Sequence, residues 1–146
     1  MNECLFHDVP DNRREFLLFD MVERMYRGKN RILVFTSSRE RAIEIDRMLW
    51  ILRQESFIPH RIFEPDEWIE DAESDVPVGI VTTEENPIRA AILIADGHCG
   101  IDFACGFDTT HEFVDHLSAE RTESCRRRFR GYKDRQIPVR HIKDTI

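Results

Sequence analysis

Three short, uninterrupted runs of apolar residues constrain the fold of this chain more than any other feature of its sequence. They are Ile32–Phe35, Val78–Val81 and Ala90–Ala95. A strand with one face in water alternates apolar and polar residues, whereas a strand covered on both faces is apolar throughout. Strands of the second kind occur in parallel sheets with helices on both sides. The runs therefore predict an α/β, Rossmann-like domain of three layers, with a mostly parallel sheet flanked by helices.

Helical patterns precede, separate and follow these strands. In residues 13–27 the apolar side chains recur at helical spacing, and Gly28 gives a stop signal. Ser37 with Glu40 has the spacing of a capping box, which predicts the start of a second helix. Ser118 is a candidate N-cap for a last helix that ends near Arg135. The buried face of the second helix is predicted to contain Ala42, Ile45, Leu49 and Leu52.

Three further segments complete the prediction. Residues 4–9 include Leu5 and Phe6 and form a segment of the length of a strand, which predicts a first strand. Residues 57–75 contain two prolines and an acidic run without a clean period, which favours an irregular excursion. Residues 112–117 form a short segment before the last helix, and Pro138 breaks the pattern after it.

Length and composition limit the class of protein. The 146 residues suit one domain, 1–146, and 41% hydrophobic with 34% charged residues is typical of a globular chain. No run approaches the length of a membrane helix and no apolar signal core follows Met1, so we expect a cytoplasmic protein that binds no membrane. The four cysteines form no Cys-x-x-Cys pair and are interpreted as reduced thiols. No metal site is expected, because His98, Cys99 and Cys105 have no evident fourth ligand.

The usual chemistry of such a fold is absent from the sequence. A nucleotide-binding α/β domain has a glycine-rich turn after a strand, where backbone N–H groups approach the phosphates. This sequence has no Gly-x-Gly-x-x-Gly and no Gly-Lys-Ser/Thr motif. The six histidines are dispersed and form no catalytic motif. We therefore predict a protein without catalytic activity and without a cofactor, and a nucleotide-dependent enzyme is the least favoured class.

Charge is distributed unevenly along the chain. Residues 121–143 contain nine Lys or Arg and two acids, a net charge of +7, whereas the whole chain has a net charge of −7. The remaining residues therefore sum to −14. An acidic body repels a long polyanion, but a local basic patch still attracts a short acidic partner, because fields are screened within about 10 Å. A solvated helix that only improves solubility is the simpler alternative.

The last helix places cations beside an apolar stripe. Guanidinium groups beside an apolar floor suit an acidic peptide that ends in an apolar residue. Alternatively, the stripe packs the helix on the sheet while every arginine faces water. A third interpretation is direct binding of single-stranded DNA by this helix, although its aromatic residues do not interleave regularly with the cations. The apolar stripe is Cys125, Phe129 and Tyr132, and the neighbouring stripe of cations is Arg126, Arg130 and Lys133.

A second candidate surface lies at the end of the second helix. Trp50 adjoins the buried stripe of that helix, and Phe57 follows in the loop. Large aromatic residues in such a place are either part of the core or anchors of an interface.

The sequence resembles the chi subunit of bacterial DNA polymerase III. The resemblance covers nearly the whole chain. It rests on Arg31–Val34 after Gly28-Lys29, on Asp46–Trp50 leading to Glu55–His60, and on Arg126–Tyr132, in that order.

The resemblance implies a Rossmann-like fold without catalytic activity and an adaptor of the clamp-loader assembly. Such an adaptor grips the acidic carboxy-terminal tail of single-stranded-DNA-binding protein, which ends in Pro-Phe. It also binds the psi subunit, or a helicase that competes for the same surface, and contacts DNA mainly indirectly. The resemblance implies a tail pocket formed by Arg126, Phe129, Arg130, Leu117 and Lys133, and a psi or helicase surface formed by Trp50, Phe57 and Pro59. Thr122, where family members can have lysine, and the acidic insert 70–75 depart from the family pattern.

Overall fold

The apolar runs of the sequence lie in the middle of a parallel β-sheet. The computed structural model of the chain describes residues 3–51, 57–65 and 75–143. Within these residues the strands are β1 (Glu3–Asp8), β2 (Ile32–Phe35), β3 (His60–Phe63), β4 (Val78–Val81), β5 (Ile92–Ala95), β6 (Thr109–Phe113) and β7 (Val139–Lys143). The helices are α1 (Arg14–Arg27), α2 (Arg39–Ile51), α3 (Ile101–Ala104) and α4 (Ala119–Asp134), and a 3-10 turn, Asp11–Arg13, precedes α1.

The described strands form one seven-stranded sheet in the order β3-β4-β2-β5-β6-β1-β7. Every neighbouring pair is parallel. This confirms the predicted α/β architecture, and the sheet is parallel throughout rather than mostly parallel.

Residues of β2 show why its sequence is apolar without interruption. Ile32 and Val34 face a core with α1 and α2, whereas Leu33 and Phe35 face a second core that includes residues of α3 and α4. Side chains alternate between the faces of a strand, so a strand with helices on both sides needs apolar residues at every position. The two cores correspond to the three predicted layers.

The observed helix ends agree with those predicted from the sequence, except at the N-cap of α2. Helix α1 ends at Arg27, and the backbone N–H of Gly28 donates to the carbonyl of Arg24. The hydroxyl that receives a hydrogen bond from the first turn of α2 belongs to Ser38, which accepts from the N–H of Arg41 at 3.2 Å. The predicted cap at Ser37 is therefore wrong by one residue. Leu52 lies outside the described residues.

Two predictions about segments were wrong. The irregular excursion predicted for residues 57–75 contains β3, which pairs with β4. The segment predicted at 112–117 is strand β6 shifted toward the N-terminus, Thr109–Phe113. Strand β7, which follows Pro138, was not predicted. Of the acidic insert, only Asp75 is described, and its carboxylate lies 3.0 Å from the Arg31 guanidinium.

The carboxyl ends of β2 and β5 are adjacent, but their connections leave in opposite directions. Strand β2 continues through α2 to β3, whereas β5 continues through α3 to β6 on the other side. Such a divergence opens a crevice at the ends of the strands. Gly97 lets the two loops meet there, because a Cβ at this position would lie 2.8 Å from the backbone nitrogen of Ser37.

Candidate peptide-binding site

Helix α4 begins at a well-formed cap. The hydroxyl of Ser118 accepts a hydrogen bond from the N–H of Arg121 at 3.1 Å, as its sequence position predicts. Thr122, in the first turn, donates from its hydroxyl to the carbonyl of Asp115 at 3.0 Å. These contacts fix the start of the helix against the end of the segment that follows β6.

The apolar stripe of α4 is mostly core. Cys125 and Tyr132 are buried, whereas Phe129 is half-buried. The stripe therefore packs the helix on the sheet, and only Phe129 also reaches a surface. Arg126 and Arg130 extend into solvent, with side chains 72% and 66% exposed.

One arginine of α4 has a role that the sequence analysis missed. The guanidinium of Arg128 donates to Glu112 of β6 at 2.6 and 2.7 Å, and these two side chains are 11% and 1% exposed. The hydroxyl of Tyr132 donates to the same carboxylate, and Arg128 also donates to the carbonyl of Cys99. This buried ion pair fixes the rotation of α4 on the sheet. The available signal was the position of Arg128 next to the apolar stripe.

A small pocket opens beside Phe129, and we call it the Phe129 pocket. Its volume is about 210 Å³. Its floor includes Phe6 and Phe129, whose rings meet edge to face with centroids 5.3 Å apart. Its walls come from α4, the end of β1, the middle of β7 and the segment after β6. The lining residues are Phe6, Asp8, Val114, His116, Thr122, Cys125, Arg126, Phe129 and His141.

The residues predicted for tail binding are distributed unevenly around this pocket. Arg126 and Phe129 line it. The ammonium group of Lys133 lies 5.0 Å from the centre of the Phe129 ring. Arg130 is not a lining residue, but its guanidinium shares a carboxylate with Arg126, because Glu123 lies 3.2 Å from Arg130 and 3.7 Å from Arg126.

Leu117 does not form a wall of the Phe129 pocket. It is 61% exposed and lines a different depression on the other side of the first turns of α4. Leu117 therefore lies outside the Phe129 pocket, and a role for it in tail binding stays a prediction.

Three polar residues of the pocket were not predicted as site residues. Asp8 ends β1, His116 precedes α4 and His141 lies in β7. The carboxylate of Asp8 lies 2.8 Å from Nε2 of His116 and 3.1 Å from Nε2 of His141. Burial alone would raise the pKa of Asp8, but hydrogen bonds and charge from the two histidines hold it below its ordinary value.

The larger depression is the crevice at the ends of β2 and β5, and we call it the strand-end groove. Its volume is about 910 Å³, and its walls mix arginines with acids. Asp96 lies at its base and binds Arg14, Arg41 and the hydroxyl of Thr36. Burial alone would raise the pKa of Asp96, but the hydrogen bonds and charges of these partners lower it. The base of the groove is therefore already neutralised by the chain itself.

Trp50 and Phe57 form an exposed aromatic patch. Their ring centroids are 5.4 Å apart, and the two residues are 48% and 64% exposed. Trp50 also contacts the ring of His60, with centroids 4.5 Å apart and the two planes tilted by 53°, and the His60 side chain is fully buried. Pro59, in the same loop, is half-buried. The patch is thus an aromatic surface with a rigid base, and residues 52–56 between its members lie outside the described residues.

The described parts of the chain contain neither a cluster of metal ligands nor a membrane-spanning helix. No group of three His, Cys, Asp or Glu side chains there is placed to hold a metal ion. In the same residues, no helix has the length and apolar character needed to cross a bilayer. The described cysteines are free thiols.

Comparisons with known proteins identify the family. The family model of the DNA polymerase III chi subunit, HolC, matches residues 1–140 of this chain. DNA polymerase III subunit chi of Escherichia coli is 26% identical over 120 residues, which are 82% of this chain and 78% of the E. coli protein.

A solved structure of S. cerevisiae dbp5 bound to nup159, gle1, IP6 and ADP contains a chain that is similar in fold. It matches with a TM-score of 0.59 and 14% identity, over 99% of this chain and 42% of that one. This likeness concerns the fold alone, and this chain spans less than half of the yeast chain that it matches.

The match over residues 1–140 confirms the resemblance found in the sequence. Chi is an accessory subunit of DNA polymerase III and is not itself catalytic, which agrees with the predicted absence of an enzymatic function. The chain belongs to the DNA polymerase III chi subunit family.

Proposed function

We propose that this chi subunit links the clamp-loader assembly of DNA polymerase III to single-stranded-DNA-binding protein during replication in the cytoplasm. It grips the acidic carboxy-terminal tail of that protein in the Phe129 pocket. The strongest support for this proposal is that the pocket has an apolar floor and an exposed cation at its rim. Phe6 and Phe129 provide the floor, and Arg126 is exposed beside it.

The size of the Phe129 pocket favours a peptide side chain over a small molecule. Typical small-molecule sites have volumes of about 300–1,000 Å³, and this pocket has about 210 Å³. The terminal ring of a tail that ends in Pro-Phe would lie edge-on to Phe6 and Phe129. The terminal carboxylate would then reach the mouth of the pocket, where Arg126 can donate two hydrogen bonds.

Glu123 marks where an acidic ligand can bind. Its carboxylate lies between Arg126 and Arg130, at 3.7 and 3.2 Å. All three side chains are about half or more exposed, so these ion pairs are weak and a peptide carboxylate can replace Glu123 at little cost. Arg130 and Lys133 add positive charge along the same face of α4. The tail therefore approaches a surface that already accommodates a carboxylate.

Arg126→Ala is expected to weaken tail binding about tenfold or more, because a charge-assisted hydrogen bond contributes about 1.5–3 kcal/mol. The midpoint of thermal unfolding should stay nearly unchanged, since the side chain is 72% exposed. The measurement is fluorescence anisotropy of a labelled acidic peptide that ends in Asp-Ile-Pro-Phe. The same peptide with a C-terminal amide should bind much more weakly, and raised salt should weaken binding of the free acid.

Arg127→Ala is the matched control for this experiment. Arg127 is the adjacent exposed arginine, but it lines the strand-end groove instead of the Phe129 pocket. An equal loss of affinity in both variants would contradict the pocket and favour diffuse attraction to the basic helix. Binding of a plain single-stranded oligonucleotide, weakened equally by both changes, would instead support the alternative that this helix binds DNA directly.

We propose the aromatic patch as the second binding surface of the adaptor, for the psi subunit or for a helicase that competes for it. Exposed aromatic residues with few rotatable bonds are the usual anchors of interfaces. Trp50 and Phe57 contact each other, and the buried His60 supports Trp50 from below. Pro59 restricts the loop that holds Phe57.

Trp50→Ala is expected to reduce the affinity for psi, or for the helicase where psi is absent, by at least thirtyfold, since an interface anchor contributes about 2–4 kcal/mol. Isothermal titration calorimetry with the purified partner measures this loss. Phe16→Ala is the control, because Phe16 is also a large exposed aromatic residue, 44% exposed, but lies on α1. Tail binding at the Phe129 pocket should be unaffected in both variants. Equal binding of psi by Trp50→Ala and the wild type would refute this surface.

A further inference from the structure

The pocket that is proposed to bind an acidic peptide contains an acidic side chain, that of Asp8. Asp8 lines the Phe129 pocket together with Arg126, so at neutral pH their charges cancel. A carboxylate in this position repels the carboxylates of an acidic peptide. Positive charge placed directly beside Asp8 would offset this repulsion and let the pocket hold such a peptide more tightly.

Two histidines provide that charge in a pH-dependent way. His116 and His141 approach the two different oxygens of Asp8, both through Nε2. A neutral imidazole that donates from Nε2 has its basic lone pair on Nδ1. Each ring can therefore take up a proton on Nδ1 without breaking its contact with Asp8. The side chains are 53% and 51% exposed, so water reaches both rings.

We propose that Asp8, His116 and His141 form a carboxylate-binding subsite of the Phe129 pocket whose charge reverses between neutral and mildly acidic pH. The inference rests on the proposed function, because the ligand is a carboxylate of the same acidic peptide. With neutral imidazoles the three side chains have a charge of −1, and with both imidazoles protonated they have a charge of +1. Histidine is the side chain whose ordinary pKa, about 6.5, lies in this range.

The other groups that face the two rings do not titrate in this range. Arg126, on α4, keeps its charge at any accessible pH. Cys125 stays a thiol, because burial raises its pKa. Lys143 pairs in register with Asp8 across β1 and β7. The remaining lining residues, Phe6, Val114, Thr122 and Phe129, do not ionise.

The peptide itself also keeps its charge between pH 7.5 and 5.5. Aspartate and a terminal carboxylate have ordinary pKa values of about 3.9 and 3.5. The change in affinity over this interval therefore reports on the protein. Two added charges at an exposed rim should tighten binding by roughly tenfold, in line with measured exposed ion pairs.

The test is a series of anisotropy titrations of the labelled free-acid peptide at pH 7.5, 6.5 and 5.5 and constant ionic strength. We expect the wild-type dissociation constant to fall about tenfold over this range, and that of the double variant His116→Gln/His141→Gln to change less than twofold. Asp8→Asn should bind the peptide more tightly than the wild type at pH 7.5. His98→Gln, which changes a histidine on the other side of α4, should keep the wild-type pH dependence. Circular dichroism at each pH establishes that every variant is folded.

The outcomes separate this inference from the proposed function. Binding of the free acid with an affinity that does not depend on pH would overturn the subsite and leave the Phe129 pocket in place. A double variant that keeps the wild-type pH dependence would also overturn the subsite. Absence of peptide binding at every pH would overturn both.

Discussion

Arg128→Ala is expected to lower the free energy of unfolding by about 3–5 kcal/mol, because it leaves a buried carboxylate without its cation. Glu112 is 1% exposed and accepts hydrogen bonds from Arg128 at 2.6 and 2.7 Å. Tyr132 also donates to Glu112, but a hydroxyl does not neutralise the charge. Urea denaturation followed by far-UV circular dichroism measures the loss.

The control for this substitution is the preceding residue. Arg127 is an exposed arginine of the same helix, so Arg127→Ala should change the free energy of unfolding by no more than about 0.5 kcal/mol. The double variant Arg128→Met/Glu112→Gln should lose less stability than Arg128→Ala, since it leaves no buried charge. Equal stability of the two alanine variants would show that the Arg128–Glu112 pair does not hold α4 in place.

Acid is expected to destabilise the protein through a second buried polar pair. Nε2 of His7 and Nδ1 of His111 are 2.9 Å apart, and both residues are buried. Burial, with the charges of His7 and Arg24 as smaller causes, lowers the pKa of His111 to about 3. In the unfolded chain it takes up a proton near pH 6.5, so the unfolded state binds more protons below that pH. His111 alone should cost about 2 kcal/mol of stability between pH 7.5 and pH 5.

The comparison variant is His111→Asn, whose side-chain amide can occupy the place of Nδ1 beside His7. We expect this variant to be less stable than the wild type at pH 7.5, but its free energy of unfolding should fall less between pH 7.5 and pH 5. The carboxylates with lowered pKa, Asp8 and Asp96, contribute to acid denaturation only below about pH 4, so they do not affect this interval. Parallel stability curves for the two proteins would contradict the role of His111.

Central strands were predictable from the sequence, and the edges of the sheet were not. Strands β2, β4 and β5 have helices on both faces, so burial alone selects their apolar runs. Strands β3 and β7 are the two edges, and most of their residues are half-buried or exposed. Without two covered faces they show no apolar run, and β3 was therefore interpreted as an irregular segment.

The bounds of strand β6 were not predicted correctly, for a different reason. It is buried, but its interior residues include Thr110, His111 and Glu112. Each is tolerated because a partner from another element satisfies it: the carbonyl of Ala104, the ring of His7 and the guanidinium of Arg128. A hydrophobic pattern cannot reveal a buried polar residue whose partner is distant in sequence.

The same division holds for the candidate site. The spacing of Arg126 and Phe129 on one helix was enough to place a cation beside an aromatic floor, because helical geometry acts over a few residues. The other side of the pocket required β1 to lie between β6 and β7, which brings Asp8 and His141 beside α4 although 133 positions separate them. Local patterns of residues were enough to predict the α/β class, the amphipathic helices and the basic face of α4. Which distant polar residues meet at the Phe129 pocket, and which pair in the core, could not be predicted in this way, because packing of the whole sheet sets strand order and register.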